Sequence, residues 1–358
     1  MTPIRLACWP ASTSHDYIRS LYLALEQQDV HVSVDGVRIE DRFLREQRDQ
    51  FDALHIHWAE QLWGAGVASA AMRLRGIVGL MRFLGSARRL GVPIVWTVHN
   101  LRPHEGGDFV DSVGLWRVAK MSDLTICHDR ATYFRLNRWP FRAGGTIMLA
   151  RHGNFDLVWP PRPAMDAARQ ELGIQADERL LLCFGLMRPY KGFDLAIEAM
   201  KLLGPPYRLV IAGPVTDDVY LKRLREIANA DPRISILPHR IADRELVQWL
   251  AASDCVLFPY RAITGSGALI GAITAHRGVV ASDLPFFRET LSLSPGAGVL
   301  FAPGNAGALA TAIRQFFDLP ASDRQTAAAR LSVLHDWRRI VEPIAAWLKA
   351  NARRSRSR

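Results

Sequence analysis

Short apolar runs alternate with helix-patterned segments along the whole chain, and this alternation most restricts how it can fold. Strands separated by helices are joined by crossovers, and crossovers build parallel sheets covered by helices. In the first half the strand-like runs are Ile4–Trp9, His31–Val34, Ala53–Trp58, Pro93–His99 and Leu124–His128. In the second half they are Arg179–Gly185, Arg208–Gly213, Ile234–Pro238, Cys255–Tyr260, Gly278–Ser282 and Val299–Ala302. Helical spacing falls between them, as in Tyr17–Gln27, Asp194–Leu203, Tyr220–Asn229 and Asp243–Ala252.

At 358 residues the chain is long for one domain and comfortable for two. Trp159-Pro160-Pro161-Arg162-Pro163 separates the two series, and a proline cluster of this kind is a stiff, extended connection. The reading is therefore an α/β protein of two Rossmann-like, doubly wound parallel-sheet domains facing a cleft. The first spans 1–158 and the second 164–335. A helix over 336–350 packs back on the first domain, and 351–358 is a basic tail. Ligands of doubly wound sheets bind beyond the carboxyl ends of the strands, so the residues that follow each strand are the candidates.

Two anion-friendly loops follow strands of the second series. The first is Gly185-Leu186-Met187-Arg188-Pro189-Tyr190-Lys191-Gly192, a glycine turn with two cations before a helix start. Free N–H groups at that start and the charges of Arg188 and Lys191 suit a diphosphate. The second runs from Arg261 to Leu269, where Gly265 and Gly267 permit close backbone approach and Ser266 can cap a helix. Each loop alone is also ordinary turn chemistry; the pair on one sheet is the stronger signal.

The ordered set FGLMRPYKG, LVIAG, DRELVQWLAASDCVLFPY, the glycine loop and HRGVVASDLPFFRE resembles the nucleotide-sugar domain of GT-B glycosyltransferases. The resemblance implies that Lys191 binds the donor diphosphate. Arg188 stands in for an arginine that the family places at Leu186. Gly185, Arg240, Tyr260, Gly265, Ser266, Gly267 and Glu289 join them in donor binding. The family's Glu-x7-Glu falls on Ile263 and Gly271, so both acids are missing; the second of them holds the donor ribose in the family.

In the first half, His55-Ile56-His57-Trp58-Ala59-Glu60 follows one strand and Thr97-Val98-His99-Asn100-Leu101-Arg102-Pro103-His104-Glu105 follows another. With Trp9-Pro10, Tyr17 and the loop YRAITGSGALIGA, these segments are similar to the inverting mannosyltransferases that build xanthan-like exopolysaccharide side chains on a lipid carrier. Inversion needs a general base for the acceptor hydroxyl, and a carboxylate or histidine at a strand end can serve. Glu60 ranks first, Glu105 second and His99 third, against the plainer reading of each as a hydrogen-bonded structural residue. Asp16 is a further acid in the loop after the first strand, where the family pattern has none.

Asp217-Asp218 starts a helix and no carboxylate pair follows a strand, so no metal and no cofactor are expected beyond the nucleotide-sugar co-substrate. The four cysteines, each in an apolar run, read as reduced core residues of a cytosolic protein. No stretch reaches the roughly 18 apolar residues of a membrane span, and Ile4–Trp9 is too short for a secretory segment. The net charge of +10 suits a nucleotide or anionic lipid; nothing else in the sequence supports nucleic acid. Residues 70–90 read as a helix with Arg75, Arg82 and Arg89 along one face and Leu74, Ile77, Leu80, Met81, Leu84 and Ala87 broadly opposite. That pattern fits either a solvated Rossmann helix or contact with the inner face of the cytoplasmic membrane.

The expectation is a metal-independent hexosyltransferase that moves mannose from GDP-mannose to a glycan or polyprenyl-diphosphate-linked acceptor. The alternatives are a retaining GT-B enzyme, a non-catalytic nucleotide-sugar or glycan-binding protein, and a basic nucleic-acid binder.

Overall fold

The computed structural model describes residues 2–13, 15–65, 69–99, 109–138, 142–263 and 265–352. The chain divides into two compact units, Met1–Gly153 with Asp336–Arg358, and Asn154–His335. In the first, β1 (Ile4–Trp9), β2 (Val30–Asp35), β3 (Ala53–His57), β4 (Ile94–Val98), β5 (Leu124–Cys127) and β6 (Thr146–Leu149) form a sheet of order β2-β1-β3-β4-β5-β6. All its pairings are parallel. In the second, β7 (Arg179–Phe184), β8 (Tyr207–Ala212), β9 (Ile234–Leu237), β10 (Cys255–Phe258), β11 (Val279–Ser282) and β12 (Gly298–Phe301) form the parallel order β12-β11-β10-β7-β8-β9.

The interior strands are apolar because helices cover both faces. Every residue of β3, β4, β5 and β10 is buried. The four cysteines are buried and free. β6 was not among the expected strands: its four residues lie at a sheet edge behind Gly144-Gly145 and read as a loop.

Each sheet changes winding direction once, between β1 and β3 in the first unit and between β7 and β10 in the second. These switch points are where open α/β sheets leave a crevice at the strand ends. Tyr17 and Trp58 follow β1 and β3; the two glycine loops follow β7 and β10.

The helix Trp337–Ala352 packs on the helix Asp16–Glu26 and on β1. Trp337 lies flat against Gly153, where a Cβ would be 2.3 Å from the indole.

The helix Ala70–Arg89 corrects one expectation. Leu74 is 54% exposed, beside Met72 and Val78, while Arg73 is turned inward. The cause is Asp111, a buried carboxylate that Arg73 Nη1 meets at 2.7 Å and Trp63 Nε1 at 2.9 Å. Ile77, Leu80, Phe83, Leu84 and Ala87 form the buried face.

Candidate active site

β7 runs into Gly185–Gly192 and the helix Phe193–Met200. Gly192 has φ 63°, and a Cβ there would lie 2.0 Å from the Pro259 carbonyl oxygen. Only glycine lets this loop close on the end of β10. Gly185 has φ 103°, and a Cβ there would lie 2.7 Å from Lys191 Nζ. The ammonium is thus folded back under the start of its own loop, buried, 5.2 Å from the centroid of the Tyr260 ring. Burial lowers its pKa to about 8. Among the described residues no carboxylate forms an ion pair with it. A desolvated cation set against a ring face is prepared for an anion.

Arg261 ties the two loops together. Its Nη1 and Nη2 donate to the two oxygens of Asp194 at 2.9 and 2.7 Å, and Nη1 also donates to Pro189 O at 2.6 Å. Its backbone N–H donates to Tyr190 O at 2.7 Å, and the Tyr220 hydroxyl donates to Asp194 Oδ1 at 3.1 Å. Burial pushes the Asp194 carboxyl up, but the bonds from Arg261 and Tyr220 outweigh it and hold the group below its usual range. Ser266 caps the helix Gly267–Thr274, accepting from Leu269 N at 3.1 Å.

In the first unit, histidines end or follow four adjacent strands: His57 on β3, His99 after β4, His128 after β5 and His152 beyond β6. The Tyr17 ring is their hub, with centroids 5.8, 4.7, 5.2 and 4.8 Å away in that order. Trp337 packs on the same ring at 5.2 Å. Trp58 has φ 38°, a left-handed conformation that strains a bulky residue. It stacks its indole on His99 at 4.0 Å and 15°.

The tautomer of His128 follows from its partner. Nδ1 meets Ala150 O at 2.7 Å, and a carbonyl only accepts, so Nδ1 carries the proton. Nε2 is left as a buried lone pair with no hydrogen-bond partner. Burial holds His57, His99 and His128 below the usual imidazole range, and His55 at about 3, so all four rings are neutral at pH 7. Among the described residues no three His, Cys, Asp or Glu side chains are grouped to hold a metal ion.

Residues 164–331 match the family described as Glycosyl transferases group 1. The chain carries a group 1 glycosyltransferase domain. The chain is 29% identical over 277 residues to a GDP-mannose:glycolipid 4-β-D-mannosyltransferase of Xanthomonas campestris pv. campestris, across 76% of this chain and 71% of that protein. It is 27% identical over 191 residues to a D-inositol 3-phosphate glycosyltransferase of Xylanimonas cellulosilytica, across 49% and 46% of the two chains. The HepE protein of Anabaena, solved in complex with UDP and glucose, superposes with a TM-score of 0.72 at 18% identity, covering 97% of this chain and all 100% of that one. A sucrose-phosphate synthase from Thermosynechococcus elongatus gives 0.72 at 18% identity, covering 98% and 99%. These likenesses show the fold, which is GT-B: two parallel-sheet α/β domains.

In the glycosyltransferase domain, Gly185, Arg188, Lys191, Tyr260, Gly265, Ser266 and Gly267 lie on the two loops that flank the β7/β10 switch. Glu289 is half-buried on the helix Pro285–Leu291 after β11, and Arg240 is exposed after the edge strand β9. Gly271 has a physical reason to lack the family glutamate: a Cβ there would lie 2.8 Å from Cη2 of Trp159 and 3.3 Å from Cζ of Phe184. The indole of Trp159, stacked on Phe155 at 4.8 Å, takes that space.

Of the base candidates, Glu60 is half-buried on the short turn Ala59–Trp63, and His99 is half-buried at the end of β4. Glu105 lies outside the described residues. Sequence reasoning passed over Tyr22, His128, His152 and the Asp194–Arg261 clamp. The histidines had one usable signal, a histidine at or just past the end of several strands.

Proposed function

We propose that this glycosyltransferase transfers mannose from GDP-mannose, with inversion, to a hydroxyl of a glycan or polyprenyl-diphosphate-linked acceptor in exopolysaccharide assembly. The observation that carries the reading is Lys191, a buried ammonium held against Gly185 at the end of β7. A sugar nucleotide leaves behind a nucleoside diphosphate, and the charge on that leaving group is what such a cation meets. Arg188 and the N–H groups at the starts of Phe193–Met200 and Gly267–Thr274 add to it. With these charges the diphosphate needs no divalent ion. The donor is taken from the Xanthomonas relative, whose name specifies GDP-mannose and a β-linked product. GDP-mannose is the α-anomer, so a β-product means one inversion.

The base in this reading is His99. What favours it over Glu60 is the chain of polar groups behind it, from Nε2 of His99 through His57 to the Tyr22 hydroxyl. Glu60 is the second reading, supported by its place two residues beyond the strained Trp58.

The working position is the inner face of the cytoplasmic membrane. Among the described residues no helix is long and apolar enough to cross a membrane. Instead Met72, Leu74 and Val78 are exposed on the helix that carries Arg75, Arg82 and Arg89. Apolar residues among arginines fit an anionic bilayer surface.

A screen of nucleotide sugars by thermal shift tests the donor, since a ligand at about 100 times its Kd adds about 2.7 kcal/mol. GDP-mannose should raise Tm, and should do so in EDTA. A shift with every other nucleotide sugar and none with GDP-mannose refutes the donor; a shift that EDTA removes refutes metal independence.

A further inference from the structure

A polar chain runs through the first unit from Asp35, exposed at the end of β2, through a buried middle to His99. Asp35 accepts from Cys8 Sγ at 3.1 Å, and from the backbone N–H and hydroxyl of Ser12. The Cys8 thiol also lies against the Tyr22 hydroxyl. That hydroxyl is 3.1 Å from His55 Nδ1 and 3.2 Å from His57 Nε2. His55 Nε2 is 2.9 Å from Thr97 Oγ1, and His57 Nδ1 is 3.2 Å from His99 Nε2. Tyr22, His55, His57 and Thr97 are all buried; His99 is the half-buried end. The chain uses Nε2 of His99 and leaves Nδ1.

Proton counting ties the two ends together. A carboxylate only accepts, so the thiol proton of Cys8 is committed to Asp35 and cannot go to Tyr22. Each neutral imidazole has one proton, and the tyrosine hydroxyl has one. If Tyr22 donates to His57 Nε2, the proton of His57 sits on Nδ1 and points at His99 Nε2. His99 then keeps its own proton on Nδ1 and has no free lone pair. If Tyr22 instead accepts from His57 Nε2–H, then His57 Nδ1 is bare and takes the Nε2–H of His99. Nδ1 of His99 is then an open lone pair.

We propose that Tyr22 is a positioning residue that holds the second arrangement, and so makes Nδ1 of His99 the proton acceptor. In it every bond from His99 through His57, Tyr22 and Cys8 points toward one fixed negative charge, Asp35. Bonds aligned in this way polarise one another. Tyr22 also keeps two acceptors for its own proton, the Cys8 sulfur and His55 Nδ1. In the transfer, the acceptor oxygen bonds to the anomeric carbon as that carbon's bond to the phosphate oxygen breaks. The electron pair of the broken bond leaves with the diphosphate, and the hydroxyl proton goes to Nδ1 of His99. The charge that forms on the ring is steadied through the chain toward Asp35.

The inference rests on His99 as the base, and its test separates the two. The full-length protein, labelled with ¹⁵N-histidine, is read by NMR for which nitrogen of His99 carries the proton. Wild type should show Nε2–H and a bare Nδ1. Tyr22→Phe, which removes only the hydroxyl, should lose that preference. Its kcat should fall about 10- to 100-fold, the scale found for the outer partners of metal-bound imidazoles, with nucleotide Kd nearly unchanged. A wild-type His99 protonated on Nδ1 overturns the proposal without any variant. So does a Tyr22→Phe protein that keeps the Nε2–H tautomer and full kcat. Full turnover in His99→Ala would instead remove His99 as the base, whatever the tautomer shows.

Discussion

The ammonium of Lys191 lies 2.7 Å from the point that a Cβ on Gly185 would occupy. One residue opens the loop and the other closes it, so the glycine is what leaves room for the charge. Burial has brought the pKa of that lysine down to about 8. The protonated form is the one that binds a diphosphate. Below that pKa the charge is present; above it, binding must also take up a proton. Nucleoside diphosphate affinity should therefore be flat near pH 7 and weaken by up to about tenfold per unit above pH 8. Calorimetric titration of GDP across this range reads it directly. In Lys191→Ala the affinity should be lower and the slope absent; an equal slope in both proteins would assign it to another group.

Trp159 and Gly271 make a second test. Adding a glutamate side chain at 271 drives its Cβ into the indole, which lies 2.8 Å away. Overpacking of this kind costs about 1–3 kcal/mol. Gly271→Glu should lower Tm, and Trp159→Ala in the same chain should recover part of the loss. A Gly271→Glu protein as stable as wild type would mean that the ring moves aside freely.

The strands were legible because both of their faces are buried, as in β3 and β10, so apolar character runs unbroken. Their ends were not. The sequence reading carried strands on to Trp58, His99 and His128, which are the first residues beyond them, and to Tyr260, two residues beyond β10. At this edge the residues just past the strands are largely aromatic, and composition does not distinguish a ring at a strand end from a core ring. The two glycine loops could be read because each is contiguous in sequence. The histidine ring could not, because it is assembled from four strands spread between residues 57 and 152. Arg73 and Leu74 show the limit of helical spacing: one buried carboxylate, Asp111, rotated the expected face.

That carboxylate gives the third test. Asp111 is fully buried and holds both Arg73 and Trp63. Removing one partner of a buried ion pair costs about 3–5 kcal/mol. Asp111→Ala should lose that much in urea unfolding of the full chain. A loss under about 1 kcal/mol would place the pair among weak surface bridges.

The helix Ala70–Arg89 is tested on vesicles. Each basic residue near an anionic surface contributes about 1 kcal/mol. Changing Arg75, Arg82 and Arg89 together to Glu should cut co-sedimentation with phosphatidylglycerol vesicles by at least about 100-fold, with Tm retained. If the wild-type protein does not sediment with such vesicles, this helix is a solvated one and the membrane position is wrong.

The most direct test of the central reading is the anomeric configuration of the product. The wild-type protein is incubated with GDP-mannose and a polyprenyl-diphosphate-linked glycan, and the new linkage is read by NMR through its one-bond C1–H1 coupling. The expected result is a β-mannoside, with release of GDP slowed by about 10²–10⁴-fold in His99→Ala and donor binding nearly kept. An α-mannoside formed at full rate by His99→Ala would contradict it, since the transfer would then proceed with retention and without the base assigned here.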